Sequence, residues 1–250
     1  MRIKTLHWDS NFFGLKIAKV DVASPEDSEK LLVRLPLLHK QYDLLYVFSQ
    51  QKIEAFDEDV LCDCKVIYLQ SVSPAGYHPN VWKYARLTTV SKDLLHLALE
   101  SGEYSRFRLD GKFPRQSYEK LYTRWIEQSV SGNISTDVFC YIKNDNPCGL
   151  LTLNIQKNNA VIGLLSTAVQ WRGKGIASAL LSHVRQYAFD KNVQSLSVAT
   201  QESNINACRL YEKNGFMKSS ATYVYHVWVK DFMQYSGNQC FTPPRTPIVR

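Results

Sequence analysis

No stretch of the 250-residue sequence approaches the roughly 18 consecutive apolar residues that cross a bilayer, so no transmembrane helix is expected. The opening MRIKTLHWDSNFFG lacks the apolar core of a secretory signal, which points to a cytoplasmic chain. No block of about five or six Lys/Arg occurs, and scattered basic charge excludes a dedicated nucleic-acid arm. The cysteines (Cys62, Cys64, Cys140, Cys148, Cys208 and Cys240) stand mostly alone, and Cys62-Asp63-Cys64 is too tight for a zinc knuckle. They read as free thiols of a reducing compartment. His7, His39, His78, His96, His183 and His226 are dispersed, so no metal site is expected. There is no internal repeat. What remains is globular: 45% hydrophobic and 21% charged residues argue against disorder. The charge of +7 suits a nucleic acid, an anionic membrane or a phosphate-bearing ligand and does not choose among them.

The length allows one large domain or two modest ones. Residues 1–80 read as a small α/β domain: a strand at Ile17–Val22, a helix opened by Ser24-Pro25-Glu26-Asp27 and interrupted near Pro36, and strands at Tyr42–Ser49 and Lys65–Gln70. Gln51–Asp59 reads as a short helix. Turn formers crowd into Ser73–Asn80, which marks the boundary. Residues 81–236 follow as a second domain. Its expected elements are a strand at Arg86–Val90, a helix capped by Ser91 and closed by Gly102, a loop at Arg106–Phe113, and an amphipathic helix from Pro114 to Val130. An antiparallel meander of Asp137–Lys143, Gly149–Gln156 and Ala160–Val169 comes next. A helix at Gly175–Asp190, a strand at Ser195–Thr200, a helix at Asn204–Asn214 and a strand at Tyr223–Lys230 complete it. Residues 237–250 read as a loose tail.

The segment richest in chemistry is the strand AVIGLLSTAV running into QWRGKGIASALLSHVRQYA. Gly173 and Gly175 permit backbone conformations that side chains resist and let a ligand approach the main chain. The helix that follows offers unpaired amides and the positive end of its dipole, a ready phosphate site. Arg172 and Lys174 add charge there. Glycines at a strand-to-helix turn also make a plain tight connection. The segment has neither the third glycine of a dinucleotide fingerprint nor the Gly-Lys-Ser/Thr ending of a triphosphate loop.

Gln170-Trp171-Arg172-Gly173-Lys174-Gly175 resembles the Gln/Arg-x-x-Gly-x-Gly/Ala motif of the GCN5-related N-acetyltransferases (GNAT). Asn204-Ile205-Asn206-Ala207-Cys208-Arg209-Leu210-Tyr211-Glu212-Lys213-Asn214-Gly215-Phe216 resembles that superfamily's second hallmark. The resemblance implies a GNAT fold of the α/β (α+β) class: a mixed, mostly antiparallel sheet, splayed after its fourth strand and flanked by helices. It implies acetyl-coenzyme A as the acetyl donor. Pantetheine would pair with the strand through Leu165, Ser166, Thr167, Ala168 and Val169, and the pyrophosphate would meet Gln170, Arg172, Gly173, Lys174, Gly175, Ile176 and Ala177. Asn204 and Ala207 would lie beside the thioester. Tyr211 would protonate the departing thiolate, unless it is only a half-buried aromatic. Glu202 is a candidate base for the amine, or else a solvated loop carboxylate.

Trp8–Gly14, Ser105–Pro114 and Val198–Gln201 are similar to a bacterial subgroup, of the dTDP-fucosamine acetyltransferase type. These enzymes acetylate nucleotide-linked 4-amino-4,6-dideoxysugars for surface polysaccharide synthesis, and homodimers are common among them. The substrate-binding residues implied are Phe12, Phe13, Arg106, Phe107 and Arg108; solvated arginines and packed aromatics are the alternatives. A peptide or polyamine acetyltransferase and a non-catalytic acyl-coenzyme A-binding module stay open as rival functions, while nucleic-acid and membrane partners are not expected.

Overall fold

The computed structural model describes residues 1–56, 58–85 and 89–231. The expected strand at Arg86–Val90 falls largely outside these residues, as does the tail 237–250. Two compact units result. Residues 1–62 join those from Thr222 onward in the first, and Asp63–Ala221 form the second. The division therefore follows Cys62 rather than residue 80, and the first unit also takes in the segment that begins at Thr222.

The first unit begins with β1 (Arg2–Thr5) and α1 (His7–Phe13), neither of which has a sequence period long enough to announce it. Then come β2 (Ile17–Val22), α2 (Pro25–Leu38) and β3 (Leu44–Ser49). The Ser24 side chain accepts from the Asp27 amide, Pro25 occupies the first turn, and Leu31, Leu35 and Leu38 are buried at helical spacing. Pro36 sits inside the last turn, and the helix stops two residues beyond it. The expected helix at Gln51–Asp59 reduces to a 3₁₀ turn at Glu58–Val60. Among the described residues there, Ile53 and Phe56 are the buried ones, and the Ile53 amide donates 2.8 Å to the Tyr225 hydroxyl instead of to a helical carbonyl.

The second unit contains β4 (Leu61–Ser71), β5 (Val81–Lys83), α3 (Lys92–Ser101), α4 (Arg106–Leu109), α5 (Ser117–Val130), β6 (Asp137–Lys143), β7 (Asn146–Gln156), β8 (Asn159–Thr167), α6 (Ile176–Asp190), β9 (Ser195–Gln201) and α7 (Ile205–Lys213). The last strand, β10 (Met217–Trp228), leads into the first unit, where its residues Tyr223–Trp228 pair antiparallel with β3. There β3 also pairs parallel with β2, which pairs antiparallel with β1.

Strand order in the second unit is β4-β9-β8-β7-β6-β5, with β8 and β9 parallel and the other neighbours antiparallel. One face carries α6, whose Leu180, Leu181, Val184 and Ala188 join a core with Leu151, Leu153, Ile162 and Leu196. The other face carries α3, whose Leu97 carbonyl accepts 2.7 Å from the Ser166 hydroxyl. The Arg106–Phe113 loop contains the single helical turn α4, because Ser105 caps it through the Phe107 amide. Helix α5 starts at Ser117 rather than Pro114, since Gln116 takes a left-handed conformation at φ 64°.

Candidate active site

The sheet of the second unit opens between β8 and β9. Their pairing runs from Asn159↔Ser195 to Ile162↔Val198, although β8 continues to Thr167 and β9 to Gln201. Beyond that point β8 stays with β7, ending at Thr167↔Gly149, and β9 stays with β4, ending at Gln201↔Lys65. A bulge accompanies the parting: the β7–β8 register shifts between Leu151 and Leu153, and the Leu164 amide donates 2.8 Å to Thr152 Oγ1. A Cβ on Gly163 would stand 2.8 Å from that oxygen, which explains a glycine in mid-strand. Two half-strands with no neighbour on their facing edges leave main-chain groups for a ligand that pairs as a strand does.

The loop at the mouth of this gap is built for an anion. After β8, Val169–Trp171 form a 3₁₀ turn, Arg172 is extended, and Gly173 and Gly175 adopt φ 75° and 79°. Nothing lies within 4 Å of a Cβ built on either glycine, so backbone conformation and not crowding calls for them. Gly175 starts α6, and no side chain caps that helix. Its first amides and dipole therefore face outward. Two ammonium groups lie over the Trp171 ring, Lys143 at 4.3 Å and Lys174 at 4.2 Å from its centroid. Arg172 Nε donates 3.2 Å to the Thr167 carbonyl, and Lys174 Nζ donates 3.2 Å to that of Gln170. The Thr167 hydroxyl is buried without a hydrogen-bond partner among the described residues, an orphan that a ligand in the gap would satisfy. Pantetheine and a pyrophosphate fit these features.

Helix α7 places Tyr211 beside Tyr68 of β4, the partner of Val198 on β9. Tyr211 is buried, with its ring 5.6 Å from that of Tyr68 and 5.8 Å from that of Phe216. Burial, and then the neighbouring Cys208, raise its hydroxyl well above the ordinary phenol value, so it keeps its proton at neutral pH. Tyr68 donates to Glu212 at 2.7 Å and thereby anchors α7 to β4. Asn204 caps α7 by accepting from the Ala207 amide at 3.1 Å; its oxygen has a structural task. Ala207 packs against the core. Glu202 is exposed and paired with Lys218 at 2.6 Å, which holds its carboxyl below the usual range.

On the α3 face, Arg106 and Arg108 lie on α4. Arg106 is stacked 4.6 Å from the Phe107 ring, and Arg108 is 5.6 Å from the Tyr118 ring. Beside them is an open cleft of about 440 Å³ lined by His96, Phe107, Arg108, Phe113, Arg115 and Tyr118. Phe12 and Phe13 belong to the first unit, where Phe12 stacks on Trp8 at 4.9 Å and meets Phe13 edge-on at 5.0 Å.

Residues 98–216 match the model of the acetyltransferase (GNAT) family, which places the gap, the glycine loop and Tyr211 within one domain. This chain carries a GNAT acetyltransferase domain. The GNAT fold recurs in the solved structure of a GCN5-related N-acetyltransferase from Sphaerobacter thermophilus, at 14% identity and TM-score 0.51 over 91% of this chain and 76% of that one. Among curated proteins, the chain is 24% identical to the spore coat polysaccharide biosynthesis protein SpsD of Bacillus subtilis. That match spans 54% of this chain and 46% of the relative, about half its length. It is 26% identical to a dTDP-fucosamine acetyltransferase of Escherichia coli over 88% of this chain and 96% of that enzyme. Among the described residues no helix of this GNAT chain is long and apolar enough to cross a membrane.

The sequence reading did not find Lys143, whose ammonium reaches Trp171 from the end of β6. A lone lysine before a turn carries no signal. Trp171 itself lay inside the motif, but its pairing with two lysines belongs to the fold. Asp63 was legible only as the middle of a Cys-x-Cys tripeptide.

Proposed function

We propose that the chain transfers the acetyl group of acetyl-coenzyme A to the amine of a nucleotide-linked amino-deoxysugar, a 4-amino-4,6-dideoxyhexose, in bacterial surface polysaccharide synthesis. The observation that carries the transfer reading is the β8–β9 gap, with an uncapped, glycine-led helix at its mouth. The backbone of Leu165–Val169 would hold pantetheine, and the amides of Arg172–Ala177 with Lys143 and Lys174 would hold the pyrophosphate. Tyr211 would give its proton to sulfur as the C–S bond breaks. The amine attacks the thioester directly. Burial pushes the Cys64 thiol up to about 11 and the Cys140 thiol up to about 12, and it raises Cys148 as well, so these are poor nucleophiles at neutral pH.

The sugar-nucleotide reading is supported by the match over most of the E. coli dTDP-fucosamine acetyltransferase and by the arginine-bearing cleft beside α4. Two phosphates need cations, and Arg108 and Arg115 line the cleft, with Arg106 on the same helical turn as Arg108. The substrate chemistry makes the cytoplasm the working compartment of this proposal. The test is thiol release from acetyl-coenzyme A against a panel of dTDP- and UDP-linked 4-amino-deoxysugars, polyamines and lysine peptides. Turnover confined to a nucleotide sugar supports the reading. Turnover only with peptides or polyamines discards the substrate and keeps the transfer. Coenzyme A binding without turnover of any amine favours a binding module.

A further inference from the structure

Asp63 lies on β4 two residues before Lys65, the partner of the last residue of β9. Its neighbours sort the faces of that strand. Tyr68 meets Glu212 and Tyr211 on the α7 side, and Cys64 meets Glu202 there. Asp63 points the other way, toward Arg106 of α4 and Tyr122 of α5. Gln201 joins the two sides: its amide side chain bears on Asp63, while its carbonyl lies 3.7 Å from the Sγ of Cys208, one turn before Tyr211. Both groups therefore stand about the C-terminal half of β9, which borders the gap, on opposite faces of the sheet.

One oxygen of this carboxyl, Oδ1, is buried with no hydrogen-bond partner among the described residues. A buried carboxylate oxygen left without a donor is costly, and a donor brought by a substrate would satisfy it. Burial pushes the carboxyl up to about 6, against the downward pull of Arg106, Gln201 and Lys65 and of the Cys64 amide. At neutral pH the group is ionised, yet basic enough to receive a proton. Glu202 is ionised as well, but Lys218 holds it below the usual carboxylate range and makes it the weaker base.

We propose that Asp63 is the general base of the reaction, taking a proton from the acceptor ammonium through Oδ1. This rests on the reading of the gap as the transfer site. The ammonium gives one proton to Asp63, and the free amine forms the C–N bond at the thioester carbonyl. The C–S bond then breaks and Tyr211 protonates the thiolate. The nitrogen's second proton restores the Tyr211 hydroxyl, and Asp63 releases its own to solvent. Base and acid on opposite faces match an amine that enters from one side and a sulfur that leaves on the other.

The experiment measures kcat against pH for the wild type, Asp63→Asn and Asp63→Glu, using whichever amine of the panel turns over. Acetyl-coenzyme A affinity is measured on each by calorimetry. Asp63→Asn is expected to keep its acetyl-coenzyme A affinity and lose about 10²- to 10³-fold in kcat. The wild-type rise in rate through about pH 6 should vanish in the Asn variant and return in part with Glu. An Asn variant with the wild-type kcat overturns the proposal, as does one that raises only the acceptor KM and keeps the acid limb, the mark of a residue that merely orders Arg106. A ¹³C NMR titration of the Asp63 carboxyl, assigned by its loss in Asp63→Asn, adds a readout without turnover. A midpoint in the ordinary carboxylate range overturns the proposal. Failure of every amine in the panel sinks the transfer reading itself and is separable from both results.

Discussion

Two side chains on opposite faces of the sheet, the proposed acid and base, are tuned by the same physical cause. Burial disfavours the charged form of each, so Tyr211 remains a phenol and Asp63 becomes a stronger base than an exposed aspartate. Replacing Tyr211 by Phe keeps the ring packing against Tyr68 and Phe216. It should lower kcat by about 10²-fold or more while leaving coenzyme A affinity within a few fold, as steady-state kinetics and calorimetry would reveal. For Asp63 the consequence reaches stability. Its carboxyl titrates at 3.8 ordinarily and near 6 when folded, so the folded state binds the proton more tightly. Stability from this group is then greatest below about pH 4 and falls as pH rises through 6, by on the order of 3 kcal/mol. Asp63→Asn should therefore be more stable than the wild type at pH 8, and the two should converge near pH 4 in urea titrations. A variant that is less stable at pH 8 would mean that the carboxylate is well solvated or paired.

Among the elements, the seat of α6 links packing to ligand binding. A Cβ on Gly149 of β7 would come within 2.6 Å of Ile176 Cγ2 and 3.0 Å of Leu180 Cδ1, the first turns of that helix. Gly149→Ala should destabilise the fold by about 1–3 kcal/mol, as overpacking does. It should also weaken coenzyme A binding by about tenfold, because the displaced residues include the helix start proposed to hold the pyrophosphate. Thermal melts and calorimetry would separate the two effects, and unchanged affinity would mean that the anion is held by side chains alone.

Helix α6 also shows what a sequence makes legible. Gly173, Gly175 and the apolar period of Ile176–Ala188 are local signals, and the structure places α6 one residue from the expected start. The meander β6–β7–β8 was announced by its turns, Asn144 and Asp145 in left-handed conformations and Lys157 likewise. Asp63 was hidden because its meaning lies in the register of β4 against β9, partners more than a hundred residues apart. Glu202 was visible beside a motif, while the lysine that occupies it, Lys218, comes from the following strand. Helix α4 was read as a loop since one turn has no period. Its cap, Ser105, was the only clue.

For the whole molecule, the division into units shows that the second is inserted within the sequence of the first. Strand β3 needs Tyr223–Trp228 of β10 as its neighbour, and nearly all of Leu44–Ser49 is buried in the finished unit. A chain stopped at Ala221 should leave that edge unpaired. Hydrogen exchange at Leu44–Ser49 should then rise to the level of an open strand, with a loss of soluble yield. Full protection in the shortened chain would show that three strands suffice.

The same insertion sets a schedule for the ribosome. Ser49 must wait for Tyr223, roughly 170 residues later, which at ordinary elongation rates is on the order of ten to thirty seconds. For that interval LLYVFS is a finished strand with one sticky side, emerging from every translating copy on a polysome. Slow codons or heat stress in this window would hurt yield more than any change at the gap. A chaperone that grips extended apolar segments would be expected to engage this nascent chain early and let go only near its end.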